Sequence, residues 1–154
     1  MDHRYDLSLT WTGNTGEGTA GYRSYSRDHT VTADARPDLL GSADPTFRGD
    51  RSRWNPELLL LAALSECHLL AYLHVCVADG VVVTAYVDQA NGAMTTDRDG
   101  SGRFTEVVLR PHVTVADPAM VESATRAHRR AGELCFIANS VNFPVRHEPT
   151  ISVR

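Results

Sequence analysis

The stretch from Asn55 to Gly80 reads NPELLLLAALSECHLLAYLHVCVADG and predicts the longest helix of the chain. Asn55 can accept a hydrogen bond from a free backbone N–H at the helix start. Pro56 suits the first helical position, and Glu57 complements the positive end of the helix dipole. Gly80 is typical of the position just past a helix end. A helix from Pro56 to Ala78 would span about 34 Å at 1.5 Å per residue.

The residues from Leu58 to Val77 are apolar around most of the circumference of this predicted helix. A helix of that kind is enclosed by a sheet, by another helix or by a partner subunit. We expect a chain of 154 residues to form a single domain, which has few residues with which to bury all faces of this helix. A homodimer is the simplest arrangement that would bury the remaining faces. The most apolar run, Leu58 to Leu64, ends at Ser65, well short of the roughly 20 residues that cross a bilayer. We therefore expect no transmembrane segment.

Alternating apolar and polar residues, bounded by turn residues, predict short strands on both sides of the helix. These strands cover residues 7–12, 19–26 and 29–33 before the helix and residues 81–89, 93–96 and 104–115 after it. Asn91-Gly92 and Asp99-Gly100 predict hairpin turns between the later strands. Residues 34–53 form a long irregular connection, which in compact domains is often functional.

The end of the chain predicts a second helix and a final strand. Asp117-Pro118 repeats the cap-and-proline pattern, and the apolar spacing after it is helical, with Cys135 just beyond. Residues 145–153 predict an edge strand because Pro144 and Pro149 lack the N–H that a central strand needs. The order of strands, helix, strands, helix and strand predicts an α+β fold in a single domain over residues 1–154.

The charge of the chain excludes several classes of function. The formal net charge is −4, and all 15 basic side chains are arginines scattered along the sequence, so we expect neither nucleic acid nor an anionic membrane as a partner. The absence of lysine excludes a Schiff-base lysine and a phosphate-loop lysine. The first residues lack the apolar stretch of a secretory signal, which predicts a cytoplasmic protein.

The sequence contains three cysteines, Cys67, Cys76 and Cys135, which is an odd count. Standing disulfides are rare in the reducing compartment that we expect for this protein. Cys67 lies midway along the first predicted helix and Cys135 just after the second. Two helices that pack together allow a thiol pair but do not demand one, and each cysteine could equally be a small buried side chain. Cys76, nine residues after Cys67, is interpreted as buried filler.

A zinc site built from Cys67, His68, His74 and Cys76 is not expected. Positions 67 and 74 share a helix face, positions 68 and 76 are rotated away, and no Cys-x-x-Cys occurs. His68, His74 and His128 are therefore interpreted as core or interface residues. A cysteine hydrolase would need a histidine within reach of Cys67, and no local sequence supports one.

Glu57 is explained by the helix dipole alone, but its distance from Cys67 limits any shared role. Ten residues of helix correspond to about 15 Å of rise and roughly 80° of rotation, so the two side chains cannot touch within one straight helix. They can serve one site only if an arginine bridges them or a second subunit contributes.

Several of these residues together carry a family resemblance. Asn55-Pro56-Glu57, a cysteine ten residues after the glutamate, and His128 followed by Cys135-Phe136-Ile137-Ala138-Asn139-Ser140 resemble the OsmC/Ohr family of osmotically inducible and organic hydroperoxide resistance proteins. The ordered match extends from Trp11-Thr12-Gly13 to the C-terminal strand. It implies the OsmC-like fold, with antiparallel sheets around a long central helix, in an intertwined homodimer with sites at the interface.

The resemblance also implies an activity, a thiol peroxidase that reduces organic hydroperoxides without a cofactor or a metal. Cys67 matches the peroxidatic cysteine, Cys135 the resolving cysteine, and Glu57 the glutamate that orients a catalytic arginine. That arginine is either Arg27, in a comparable early turn, or Arg48, whose distance before Glu57 suits the OsmC branch. The Gly-Gly-Arg turn of the Ohr branch is absent.

The implied cycle runs through a Cys67 sulfenic acid and a Cys67–Cys135 disulfide, which a small dithiol such as dihydrolipoamide reduces. The alternative function is a non-catalytic module on the same fold that binds a small molecule or senses redox state. A Cys67 with the reactivity of an ordinary free thiol would favour that alternative.

Overall fold

The computed structural model describes residues 1–154. They divide into two compact units, Met1–Leu60 and Leu61–Arg154. The first unit holds an antiparallel three-stranded sheet of β1 (Ser8–Trp11), β2 (His29–Thr32) and β3 (Leu39–Gly41), in that order. A 3-10 turn at Pro45–Phe47 follows the sheet. The interpretation of residues 1–154 as a single domain stays a prediction.

The second unit contains two three-stranded sheets. One is ordered β4 (Val83–Asp88), β7 (Pro111–Val115) and β9 (Thr150–Val153), and the other β5 (Asn91–Thr96), β6 (Gly102–Leu109) and β8 (Val145–His147). In each sheet the first pair is antiparallel and the third strand joins in parallel. The expected α+β fold with antiparallel pairing around a long helix is confirmed, and β8 and β9 add a parallel edge to each of these two sheets.

The first helix begins where its cap pattern predicts, whereas the Asp117-Pro118 pattern starts a 3-10 turn and the second helix begins three residues later. α1 spans Pro56–Ala78, and the Asn55 side-chain oxygen accepts a hydrogen bond from the Leu58 N–H at 2.8 Å. Gly80, at a φ of +70°, ends it with a left-handed turn that a side chain would strain. α2 spans Val121–Leu134 and follows a 3-10 turn at Pro118–Met120 that Asp117 caps.

α1 is long and apolar enough, by length and composition, to cross a membrane, and 22% of its most apolar window is buried. The core helix of a soluble protein can pass the same test. Its buried face packs in the second unit against small residues of α2 and valines of β7. This core contains Tyr72, Val75, Cys76, Val81, Val113, Val115, Ala124, Ala127 and Ala131.

The predicted strand over residues 19–26 is wrong. This segment consists of turns and bends, and its one ladder contact is an isolated bridge between Asn14 and Tyr25. The Asn14 side-chain oxygen accepts hydrogen bonds from the N–H groups of Gly16 and Gly18, at 2.9 and 3.0 Å. Both glycines have positive φ, so the local side-chain bonds and backbone freedom favour a turn over a strand.

The hairpin predicted at Asn91-Gly92 is also wrong, whereas the turn at Asp99-Gly100 joins β5 to β6 as predicted. Asn91 and Gly92 lie inside β5, and β4 pairs with β7. The Asp88 carboxylate, at the end of β4, accepts a hydrogen bond from the Arg110 N–H at 2.7 Å. This contact ties the end of β4 to the junction of β6 and β7.

Two long predicted strands are each divided between the sheets. Residues 104–115 divide at Arg110 into β6 and β7, and residues 145–153 divide before Thr150 into β8 and β9. The breaks lie side by side, since Glu148 donates its N–H to the Leu109 carbonyl at 2.9 Å and its carboxylate pairs with Arg110. β8 and β9 are both edge strands, as the prolines predict.

Candidate active site

Cys67 and Cys135 lie together in the second unit. Cys67 is partly exposed in the middle of α1, and Cys135 is the C-cap residue of α2, where it is only 1% exposed. The Cys67 side chain lies close enough to the Cys135 thiol to raise its pKa. Neither forms a disulfide, so the structure presents two free thiols, one within α1 and one at the end of α2.

The surroundings give the two thiols different chemistry. The pKa of Cys135 is raised well above its ordinary value, mainly by burial and to a lesser degree by the nearby Cys67 side chain. The Ala138 N–H, which donates to the Cys135 sulfur at 3.4 Å, opposes that shift without cancelling it. Cys135 is therefore a protonated thiol at neutral pH, and Cys67 is the more accessible of the two to a molecule from solvent.

The residues beside Cys67 point in different directions. Glu66 is exposed, while Ser65 donates a hydrogen bond at 2.5 Å to the Asp88 carboxylate. His68 is completely buried. Glu66 and His68 are separated by about 200° of rotation around the helix, so the two residues that flank Cys67 face in opposite directions.

The first unit carries a pocket of about 350 Å³ that is mostly apolar and contains two of the predicted site residues, Arg27 and Glu57. Three aromatic side chains, Trp11, Tyr25 and Phe47, lie in its wall. Trp11 and Tyr25 meet edge to face, with ring centroids 5.8 Å apart. The pocket thus combines an aromatic wall with one arginine and two acidic side chains, Asp44 and Glu57.

Arg27 is held in place by the backbone around it. Its Nη1 donates to the carbonyls of Tyr22 and Tyr25, each at 2.9 Å, and its guanidinium carbon lies 4.2 Å from the centroid of the Tyr25 ring. This cation–π contact and the two hydrogen bonds leave the other guanidinium nitrogens free for a ligand. No ion pair joins Arg27 to Glu57, although both line the pocket.

Arg48 lies elsewhere. It follows the 3-10 turn at Pro45–Phe47 with a φ of +66°, and its guanidinium carbon is 5.9 Å from the centroid of the Tyr22 ring. It is not among the residues that line the pocket with Glu57. Of the two arginine candidates, the structure thus brings Arg27 together with Glu57 and leaves Arg48 outside.

A cluster of histidines, which the sequence did not reveal as a contact, joins α1 to α2 near the thiols. The Nε2 of His68 and the Nδ1 of His128 are 3.0 Å apart, and the two residues are 0% and 3% exposed. The His147 ring stacks on His68 and the Tyr72 ring on His128, with centroids 4.1 and 3.9 Å apart. The burial of His68 and His128 was expected from the apolar pattern, whereas His74 is exposed.

Burial foremost lowers the pKa of His68 to about 3 and that of His128 to about 4, because a charged imidazole loses its hydration there. The other charged rings of the cluster would add to the shift. Both rings are therefore neutral at physiological pH. The stacked rings do not converge on a point, and no group of three or more His, Cys, Asp or Glu side chains is arranged to hold a metal ion.

Comparison with known proteins agrees with this architecture. Residues 49–150 match the family model described as OsmC-like protein. An OsmC-like protein of unknown function from Vibrio cholerae has a solved structure that is 31% identical, with a TM-score of 0.86 over 97% of this chain and 100% of that one. No curated protein matches this chain in sequence.

More distant solved structures share the fold. An organic hydroperoxide resistance protein from Elizabethkingia anophelis is 18% identical, with a TM-score of 0.66 and complete coverage of both chains. A protein from Legionella pneumophila described as organic hydroperoxide resistance protein OsmC is also 18% identical, with a TM-score of 0.69 over 98% of this chain and 99% of that one. With a family match that covers residues 49–150, well over half of its length, the chain belongs to the OsmC-like protein family.

Proposed function

We propose that this protein is a thiol peroxidase that reduces organic hydroperoxides with Cys67 and Cys135. The nearness of the two thiols, close enough for Cys67 to raise the pKa of Cys135, supports the proposal, because a peroxidase that resolves through an internal disulfide needs its second thiol near the first. Relatives of the same fold named organic hydroperoxide resistance proteins support the choice of substrate class.

The proposed cycle begins with the Cys67 thiolate. Its sulfur attacks the hydroxyl oxygen of the hydroperoxide, an S–O bond forms, the O–O bond breaks, and the alkoxide takes a proton to leave as the alcohol. Cys67 is then a sulfenic acid. Cys135 attacks that sulfur, an S–S bond forms, and the hydroxyl leaves as water with the proton that Cys135 carried.

Arg27 is the activating cation in this proposal; the carbonyls of Tyr22 and Tyr25 hold it in place, and Glu57 lines the same pocket. A guanidinium stabilises a thiolate and the negative charge that develops on the leaving oxygen. The choice of Arg27 over Arg48 rests on the pocket that Arg27 shares with Glu57. The aromatic wall of that pocket favours substrates with an apolar organic group over hydrogen peroxide, since burial of apolar surface adds binding energy.

A small dithiol, such as dihydrolipoamide, is the proposed reductant. One of its thiolates attacks the Cys67–Cys135 disulfide to give a mixed disulfide, and its second thiol closes to a cyclic disulfide and frees both protein thiols. Two electrons pass from the dithiol to the protein in each cycle. A cytoplasmic location, where such dithiols stay reduced, completes this part of the proposal.

A homodimer is part of the same proposal because α1 leaves apolar side chains exposed. Leu70 is 66% exposed and Val77 is 81% exposed. Val77 also borders an apolar pocket of about 420 Å³ beside the C-terminal end of α1. A second copy would remove this surface from water. Light scattering at micromolar concentration should give the mass of a dimer, and a monomer would contradict this part.

The test of the activity is a count of free thiols and an intact mass after one equivalent of cumene hydroperoxide or of hydrogen peroxide. The wild type should lose two thiols, form a Cys67–Cys135 disulfide and react faster with the organic peroxide. Cys67→Ser should consume no peroxide, and Cys135→Ser should accumulate a Cys67 sulfenic acid that dimedone traps. Cys76→Ala is the matched control and should behave as the wild type. Three unreacted thiols in the wild type would refute the proposal.

A non-catalytic binding module is the alternative that the pocket itself supports. A volume of about 350 Å³ lined by aromatic rings can hold a small, largely apolar molecule without any thiol chemistry. In that case Cys67 would react with a thiol probe at neutral pH no faster than free cysteine does.

A further inference from the structure

The buried hydrogen bond between His68 and His128 leaves one nitrogen of each ring without a partner. A neutral imidazole has one N–H and one lone pair, so the bond between the two rings uses one donor and one acceptor. One N–H and one lone pair are left over, on His68 Nδ1 and His128 Nε2. Both atoms are buried and neither has a hydrogen-bond partner.

Two unsatisfied buried atoms are a poor solution if the pair only fills space. Each unsatisfied buried polar atom destabilises a fold, and two apolar residues of similar size would avoid both losses. Unlike an apolar pair, the histidine pair makes a directional hydrogen bond. Its bond fixes the position of α1 along α2, whereas an apolar contact tolerates sliding.

The pair lies next to the thiols along both helices. Three pairs of neighbouring groups link α1 to α2 and its C-cap residue: Cys67 with Cys135, His68 with His128, and Tyr72 with the Ala124 carbonyl at 3.1 Å. Residue numbers rise along α1 as they fall along α2, so the two segments pack in an antiparallel direction. His68 directly follows Cys67, and His128 is two helical turns before Cys135. Of the two hydrogen bonds between the helices, the histidine bond is therefore the nearer to the thiols along both sequences.

We propose that the His68–His128 hydrogen bond positions Cys67 and Cys135 for disulfide formation. A disulfide needs its sulfurs within about 2 Å of each other and its Cβ atoms about 3.8 Å apart. A small shift of α1 along α2 would break that geometry. Both histidines are positioning residues, because neither touches the reacting sulfur atoms in the arrangement described above. The inference rests on the proposed function in that it uses the same thiol pair.

The experiment measures the disulfide directly and needs no peroxide. The folded protein is equilibrated with mixtures of reduced and oxidised dithiothreitol, and the fraction of Cys67–Cys135 disulfide is read by mass after acid quenching. Oxidised dithiothreitol takes two electrons and two protons from the protein thiols and becomes the reduced dithiol, so the exchange is balanced. If the wild type forms the disulfide here but ignores peroxides, the proposed activity fails and this inference is still tested.

His128→Phe keeps a flat ring and removes the bond, and His128→Asn returns an amide atom to the place of Nδ1. We expect His128→Phe to lower the disulfide equilibrium constant about fivefold, the effect of one lost hydrogen bond, and His128→Asn to recover most of it. Tyr72→Phe, which removes the Tyr72 contact with the Ala124 carbonyl between the same helices, is the matched control and should leave the constant within about twofold.

Three results would overturn the assignment. His128→Phe could leave the equilibrium constant unchanged, Tyr72→Phe could lower it as much as His128→Phe does, or the wild type could form no disulfide at any dithiothreitol ratio. If His128→Phe does not fold, His68→Phe removes the same bond from the other helix. His68→Gln is then the variant that restores an amide atom near the place of Nε2.

Discussion

Acid should destabilise this protein well above the pH at which its carboxyl groups titrate, because its buried histidines fold in the neutral form. Burial lowers the pKa of His68 to about 3 and that of His128 to about 4, from an ordinary value of 6.5. Between these values and 6.5 the unfolded chain binds protons that the folded protein does not. The stability is therefore complete above pH 6.5 and is lost as the pH falls below it.

The size of the loss follows from linkage. Each histidine in this condition lowers the free energy of unfolding by about 1.4 kcal/mol per pH unit below its unfolded pKa. From pH 8 to pH 5 the two together lower it by about 4 kcal/mol, a large part of the stability of an ordinary domain. Burial also lowers the pKa of His147, which adds loss in the same direction.

Urea unfolding followed by circular dichroism at half-unit steps from pH 8 to pH 5, at one protein concentration, measures this dependence. His128→Phe is the control, and its slope between pH 5 and 6 should be smaller by about 1.4 kcal/mol per pH unit because one titrating group is gone. Carboxyls with a lowered pKa do not interfere, since they titrate below this range: Asp44, Asp50 and Asp99. A free energy of unfolding that changes by less than about 1 kcal/mol from pH 8 to pH 5 would refute the reasoning.

Three further predictions concern the thiols, the arginine and the helix start. Iodoacetamide at pH 7 should label Cys67 before Cys135, because burial keeps Cys135 protonated, and peptide mapping that finds Cys135 labelled first would contradict this. Arg27→Ala should lower kcat/KM for cumene hydroperoxide at least tenfold while Arg48→Ala changes it less than about threefold, and equal losses would remove Arg27 from its role. Asn55→Ala should lower the free energy of unfolding by about 1 kcal/mol, measured in urea, through the lost helix cap.

The sequence was sufficient for the elements that local chemistry determines. The start of α1 at Pro56 and its end before Gly80 follow from a side-chain cap and a left-handed glycine, both within a few residues of the boundary. Sheet pairing depends on contacts far along the chain, so it could not be predicted in the same way. The bond from Arg110 to Asp88, 22 residues away, is one contact that no local pattern contains.

The same distinction applies to the candidate site. The resemblance named Cys67 and Cys135, but their environments required the packing of α2, which buries Cys135 and leaves Cys67 partly exposed. The pocket around Arg27 could not be predicted from the sequence, because Trp11 and Phe47 come from separate segments of the chain. The regular spacing of buried residues on α2, which includes His128, was the available indication of the histidine pair. It identified a buried face and could not identify His68 as the partner 60 residues earlier.

The acid sensitivity and the positioning role of the histidine pair have one origin. The hydrogen bond between the two neutral rings is directional but carries no charge. In the proposal it therefore keeps Cys67 in the same position relative to Cys135 while the solution pH changes within the neutral range. A salt bridge in the same place would also give direction, but burial of two full charges is much more unfavourable than burial of two neutral imidazoles. An apolar pair would be more stable and less sensitive to acid, but it would leave α1 free to slide. If the chemistry depends on sulfur atoms that must approach within bonding distance, the neutral pair is the arrangement that keeps them aligned at the smallest loss of stability.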